Sequence, residues 1–125
     1  LGHDTPEGEA FAAFQQYCLA LKERGVLLAV CSKNDDATAR SGFTHPDSVL
    51  QVGDFSAFVA NWEPKSDNLR AIARALGIGL DALVFVDDNP AEQEIVRREV
   101  PEVAVPRASH VTDFADALDR EGYFE

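Results

Sequence analysis

Apolar residues recur along this chain in two patterns, as three- and four-residue steps in some segments and as short unbroken runs in others. The stepped pattern predicts amphipathic helices, whereas short apolar runs between turn residues predict buried strands. Helices are expected over residues 6–24, 35–40, 69–76, 90–99 and 111–118. Strands are expected over residues 26–31, 49–52, 83–86 and 103–105, and a helical turn over residues 55–59.

Start and stop residues support these helices. Thr5 is a suitable N-cap and Pro6 a suitable first helical residue. Gly25, Gly77 and Gly122 follow the last periodic residues of three helices, where glycine commonly ends a helix.

The order of these elements predicts the fold class. Strands that alternate with helices form βαβ units, which build a parallel sheet covered by helices on both faces. We therefore expect an α/β, Rossmann-like three-layer sandwich formed by one domain over residues 1–125. Ligands of such sheets bind at the carboxyl ends of the strands.

Composition narrows the classes of partner. The formal net charge of −11 argues against general nucleic-acid binding, which needs stripes of basic residues. No apolar run has the length of about 18 residues that a membrane span requires. The two cysteines form no disulfide framework, and the three histidines lack zinc-ligand spacing. A protein of the reducing cytoplasm, with neither nucleic-acid nor membrane partners, is expected.

Polar residues fall where the fold class predicts a ligand site. Ser32 follows the first predicted strand, Asp87 and Asp88 end the third, and Lys65 lies at a helix start. Carboxylates bind Mg²⁺, while a hydroxyl and an ammonium bind phosphate oxygens. Each residue also has a plainer interpretation: Asp-Asp-Asn-Pro suits a turn, Ser32 a cap and Lys65 a solvated surface.

Three further side chains carry alternative interpretations. Cys31 ends a predicted buried strand and is either a small core residue or a thiolate nucleophile. Cys18, on the apolar stripe of the first helix, is expected in the core. Trp62 is expected to pack with Phe58 rather than to form a ligand platform.

Three segments in order, VLLAVCSKND, NWEPKSDNL and VFVDDNPAE, resemble the haloacid dehalogenase (HAD) superfamily of phosphotransferases, and more closely its FkbH-like branch. The resemblance extends over nearly the whole chain. It implies that Asp87, with Asp88 beside it, holds Mg²⁺ and that Ser32 and Lys65 bind the phosphate. Lys33 and Asn34, next to Ser32, are further predicted substrate-binding residues.

The resemblance also has a gap. The first motif of the family is a strand that ends in Asp-x-Asp, and the first of these aspartates is the phosphoryl-accepting nucleophile. No Asp-x-Asp precedes Ser32. We therefore expect the central strand of the family's sheet to be missing from this sequence, which would leave this fragment inactive unless that segment is supplied.

The FkbH-like branch implies a specific reaction. Its members take a glyceryl unit from 1,3-bisphosphoglycerate, remove phosphate, and load the three-carbon unit onto an acyl carrier protein of a polyketide synthase module. The resemblance implies that Cys31 carries the acyl group. Docking of the acidic carrier needs a local basic patch, and our hypothesis places it near Arg97, Arg98 and Arg107. A plain phosphatase of a small phosphorylated metabolite and an inactive docking module remain alternatives.

Overall fold

The computed structural model describes residues 6–44, 46, 48–108 and 110–124. The chain divides into two compact units, Leu1–Trp62 and Glu63–Glu125. Helices and parallel strand pairing confirm the α/β class. The predicted cap Thr5 lies outside the described residues.

The first unit contains two helices and a two-stranded parallel sheet. Its elements are listed in chain order: α1 (Pro6–Glu23), β1 (Ala29–Lys33), α2 (Asp36–Ser41) and β2 (Ala57–Asn61). The two strands pair in register from Ala29 opposite Ala57 to Lys33 opposite Asn61. Both predicted helices of this unit are confirmed.

Strand β1 begins three residues later and ends two residues later than the predicted strand over residues 26–31. Gly25 has a φ of 97°, and the Val26 N–H donates to the Leu21 carbonyl at 3.0 Å, so that residue 26 still belongs to the end of α1. At the other end, Ser32 and Lys33 pair with β2. They are therefore strand residues, whereas a turn was expected.

The second strand of this unit is not where the pattern predicted it. The Gln15 side-chain oxygen accepts hydrogen bonds from the backbone N–H groups of Val49 (2.8 Å) and Leu50 (2.9 Å), which removes these donors from any ladder. Val52–Asp54 then forms a 3₁₀ turn. The helical turn expected over residues 55–59 is also wrong, because pairing with β1 makes residues 57–61 a strand.

The second unit is mainly helical, with α3 (Lys65–Leu76), α4 (Pro90–Glu99) and α5 (Phe114–Glu121). Each corresponds to a predicted helix, but α3 begins at Lys65, four residues before the expected start at residue 69. Helix α5 begins three residues after the expected start at residue 111, because Val111–Asp113 forms a 3₁₀ turn. The strands expected over residues 83–86 and 103–105 shrink to a single parallel bridge between Val84 and Ala104. Pro106 follows this bridge and has no N–H to donate, so the ladder does not continue.

The buried apolar side chains of the second unit belong to its three helices and to the bridged segments. These residues are Leu69, Ile72, Ala73, Phe85, Val96, Val100, Val103, Phe114, Ala117 and Leu118. Within the described ranges, the helices of the chain are too short or too polar to span a bilayer.

Candidate active site

Lys65 is the first residue of α3, and its ammonium group forms an ion pair with the carboxylate of Asp87. The Lys65 and Asp87 side chains are only 13% and 9% exposed, so the interpretation of Lys65 as a solvated surface charge is wrong. The Lys65 Nζ atom also lies 6.0 Å from the centroid of the Phe85 ring. This pair brings together two of the four residues that the sequence assigned to phosphate and metal.

Asp87 lies in a loop that a chain of hydrogen bonds connects to α4. Its Oδ1 atom accepts the Asn89 N–H at 2.9 Å, and the Asn89 side chain in turn accepts the Ala91 N–H at 2.9 Å. Asn89 is therefore the N-cap of α4, with Pro90 at the first position of the helix that was predicted over residues 90–99. Turn chemistry and a role for Asp87 in binding are compatible, because the cap uses Asn89.

The donor set of this loop fits a hard divalent cation. Asp87 and the exposed Asp88 offer adjacent carboxylates, and Mg²⁺ commonly takes one or two carboxylates together with waters and substrate oxygens. Among the described residues, no group of three or more His, Cys, Asp or Glu could hold a metal ion. The residues present therefore suit Mg²⁺ shared with a substrate, and not a metal enclosed by protein ligands alone.

The other candidate residues lie in β1, except Asn34, which follows the strand. Cys31, Ser32 and Lys33 lie opposite Val59, Ala60 and Asn61 of β2. The Asn34 N–H donates to the Asn61 carbonyl at 3.2 Å, and the Asn34 side chain accepts the Asp35 N–H at 2.8 Å. Lys33 and Asn34 thus stand at the carboxyl end of the paired strands, where ligands of parallel sheets bind.

Because the strand continues to Lys33, successive side chains of β1 alternate between the two faces of the sheet. Cys31 and Ser32 therefore point to opposite faces. Ser32 and Cys31 lie in one unit, and Lys65, Asp87 and Asp88 in the other. The convergence of all these residues on one pocket, and the roles assigned to each of them, stay predictions.

The expectation that Trp62 packs with Phe58 is wrong. Trp62 follows β2 and is 67% exposed, and its indole N–H donates to Asp35 at 3.2 Å. Phe58 instead packs edge to face with Phe43 and Phe55, at centroid distances of 5.9 and 5.8 Å. The Trp62 side chain is thus held at the surface beside Asp35, close in sequence to Asn34.

Three further residues bear on the sequence hypotheses. Burial raises the pKa of the Cys18 thiol to about 11, which agrees with its predicted place on the apolar side of α1. In α4, Arg97 pairs with Glu94 at 2.6 Å, and Arg98 lies 3.5 Å from Glu99 with 71% of its side chain exposed. Both arginines are therefore partly neutralised by neighbouring acids.

Gln93 of α4, which contacts the loop that carries Asp87 and Asp88 (the acid loop), escaped sequence analysis. Gln93 is 6% exposed, and its amide nitrogen donates to the Asp87 carbonyl at 2.6 Å. A signal was present, because Gln93 shares the helix face of Val96 and Val100, three and seven residues later. A polar residue on an apolar stripe indicates a buried hydrogen bond.

Comparison with known proteins gives one informative match. No family model and no curated protein matches this chain. A crystal structure of the N-terminal part of the protein BF1531 from Bacteroides fragilis, containing a phosphatase domain complexed with Mg, is 45% identical with a TM-score of 0.93. The match covers 100% of this chain and 34% of that chain, so this chain spans about a third of its length. The chain therefore shares the fold of a solved structure that contains a phosphatase domain.

Proposed function

We propose that this chain belongs to a Mg²⁺-dependent phosphatase of the HAD type. The observation that carries the proposal is the protected Lys65–Asp87 pair beside Asp88. The likeness to a structure that contains a phosphatase domain complexed with Mg supports it, as does the resemblance of the three sequence segments to the HAD superfamily.

The proposal assigns binding roles to residues of this chain. Asp87 and Asp88 would hold Mg²⁺, which when bound neutralises charge on the phosphate. Lys65 contributes a second positive charge and orients the Asp87 carboxylate through their ion pair. Ser32 would donate its hydroxyl to a phosphate oxygen. Because the sequence contains no Asp-x-Asp before Ser32, the attack on phosphorus is assigned to none of these residues.

Mg²⁺ binding tests the metal assignment directly. Isothermal titration calorimetry with Mg²⁺ should show binding to the chain, and Asp87→Asn and Asp88→Asn should each weaken it about tenfold or more, because a neutral amide is a poorer ligand for a hard cation. Asp81→Asn, the same change at an exposed position of the second unit, should leave the affinity unchanged. Affinities that are equal in all four proteins would contradict the assignment.

Phosphate release tests the activity. We expect the chain fused to an N-terminal strand that ends in Asp-x-Asp to release phosphate from an aryl phosphate only with Mg²⁺. Lys65→Met should lower kcat/KM by about 100-fold or more, the cost of a lost oriented charge at the reacting phosphate. An extended protein that binds Mg²⁺ but stays inactive would favour the docking module.

The finer proposal is glyceryl transfer from 1,3-bisphosphoglycerate to an acyl carrier protein. The resemblance of the segment around Cys31 to the FkbH-like branch supports it. Intact mass after incubation with the bisphosphate should show a glyceryl increment that Cys31→Ala abolishes and Cys18→Ala retains. The opposite faces of Cys31 and Ser32 favour the plain phosphatase as second candidate, and that enzyme would turn over normally in both variants.

The same proposal predicts a docking site for the acidic carrier near Arg97 and Arg98. Exposed Arg98 supplies a local positive charge in a protein of net charge −11. Arg97→Glu with Arg98→Glu should slow carrier loading, whereas Arg74→Glu, an exposed change of the same kind on α3, should not. Equal loading rates in the wild type and in both variant proteins would contradict a docking site near Arg97 and Arg98.

A further inference from the structure

Gln93 is a buried amide in a helix whose buried neighbours are apolar. It is 6% exposed, and Val96 of α4 and Val100, the residue that follows α4, are 0% and 1% exposed. Burial of an amide is unfavourable unless its polar atoms find hydrogen-bond partners. The contacts of Gln93 therefore explain why this position carries a polar side chain.

The amide nitrogen of Gln93 connects two segments of backbone. It donates to the Asp87 carbonyl at 2.6 Å and to the Ala108 carbonyl at 2.7 Å. Both partners are acceptors, so only the amide nitrogen, with its two hydrogens, satisfies them. Gln93 thereby ties the acid loop to the segment that follows Pro106.

Asp87 is held at three atoms by three different residues. Gln93 binds its carbonyl, the Asn89 N–H binds Oδ1 at 2.9 Å, and Lys65 binds Oδ2. Mg²⁺ demands near-ideal octahedral geometry, so a carboxylate ligand has to be held within a few tenths of an ångström. The Gln93 bond is the contact that fixes the main chain at the aspartate itself.

We propose that Gln93 is a positioning residue for the Mg²⁺ site, one that acts through the backbone of Asp87 and does not touch the metal. The inference rests on the proposed function, because it requires that Asp87 and Asp88 bind Mg²⁺. Partners of metal ligands typically contribute about 10- to 100-fold to metal affinity. Removal of both Gln93 donors should therefore weaken Mg²⁺ binding by about tenfold or more.

The test compares Mg²⁺ dissociation constants of the wild type, Gln93→Met and Val96→Ala by isothermal titration calorimetry, well below each melting temperature. Gln93→Met keeps the length of the side chain but removes both donors. Val96→Ala removes buried volume from the same helix face without touching the acid loop. We expect both variants to melt at lower temperature, and only Gln93→Met to lose Mg²⁺ affinity.

Each outcome decides the inference. A folded Gln93→Met protein with an affinity within twofold of the wild type overturns it, because Gln93 is then merely structural. If Gln93→Met does not fold, Gln93→Asn, which keeps the amide but is too short to reach both carbonyls, should show the same loss, and an unchanged affinity overturns the inference equally. A wild type that binds no Mg²⁺ overturns the proposed function and with it this inference.

Discussion

The two compact units differ in how well they are packed. Ten of the twelve buried apolar side chains described lie in the second unit, and only Leu21 and Leu50 lie in the first. The residues of β1 and β2 are half-buried or exposed, although the apolar run predicted a buried strand. Among the residues that the structure describes, each strand has one partner in the two-stranded sheet, so both strands are edges there.

Each unit contains a lysine–aspartate ion pair, and the two pairs lie in different environments. In the first unit, Lys22 and Asp54 pair at 2.9 Å with 39% and 25% of their side chains exposed. The Gln51 N–H, and then Lys22, hold the pKa of Asp54 below its usual value. The Lys65–Asp87 pair of the second unit is far less accessible to water. The environment of each ion pair, and not its residue types, should therefore decide how much the pair contributes to the free energy of unfolding.

The largest expected effect comes from Lys65→Met. It leaves the Asp87 carboxylate mostly buried without its cation, which should lower the free energy of unfolding by about 3 kcal/mol. Lys22→Met, the matched change at the exposed pair, should cost less than about 1 kcal/mol. Urea denaturation of both variants at pH 7 measures the difference. Similar losses would show that the two environments are energetically equivalent.

The first unit is not uniformly open, and Cys18 can show this. Because burial raises its thiol pKa from 9.0 to about 11, the thiolate fraction at pH 8, and with it the alkylation rate, should be about 100-fold below that in urea. Because burial disfavours the thiolate, the free energy of unfolding should fall as the pH rises from 9.0 through about 11 and should not depend on this group at lower pH. The alkylation rate of Cys18 can be measured by intact mass in a Cys31→Ser variant, in which Cys18 is the remaining thiol. Equal rates in the folded protein and in urea would contradict the prediction.

A matched pair of truncations measures packing in the two units. Val96→Ala in α4, where the side chain is 0% exposed, should cost about 2 kcal/mol because it leaves a cavity. Val59→Ala in half-buried β2 should cost about half as much, because the surroundings and water fill the space. Thermal melts with matched denaturant curves provide the comparison. Equal losses of stability in the Val59 and Val96 variants would contradict the predicted difference in packing between the two units.

The smallest effect concerns two glycines. Gly77 ends α3 with a φ of 68°, which disfavours any residue with a Cβ atom, so Gly77→Ala should cost about 1 kcal/mol. A Cβ atom at Gly53 of the first unit meets nothing within 4 Å, and its φ is not in the left-handed region. Gly53→Ala should therefore be neutral or slightly stabilising. Melting temperatures that fall equally would contradict this interpretation of the two turns.

The helices could be predicted from the sequence because their signals are local. The stripe of α3, its closing Gly77 and the Asn89 cap each depend on residues within one or two turns. The strands were placed less well because pairing depends on distant residues. Gln15 occupies the N–H groups of Val49 and Leu50 from more than 30 positions away, and no local pattern announces that contact.

In the candidate site too, local features could be predicted from the sequence and long-range contacts could not. Lys65 and Asp87 were singled out by residue type and position, but their ion pair was not predicted. The burial of that pair depends on packing that the sequence does not display. Gln93 was missed because its two acceptors are backbone carbonyls, which any residue supplies.

Trp62 is the single tryptophan of the chain, and it stands two-thirds exposed at the carboxyl end of β2 with its indole held by Asp35. Its fluorescence therefore arises from one known place and needs no label or engineered dye. Emission from so exposed an indole lies at long wavelength and shifts to the blue when a bound molecule displaces water. The protein thus carries its own optical reporter of events beside Asn34, readable in any spectrofluorometer.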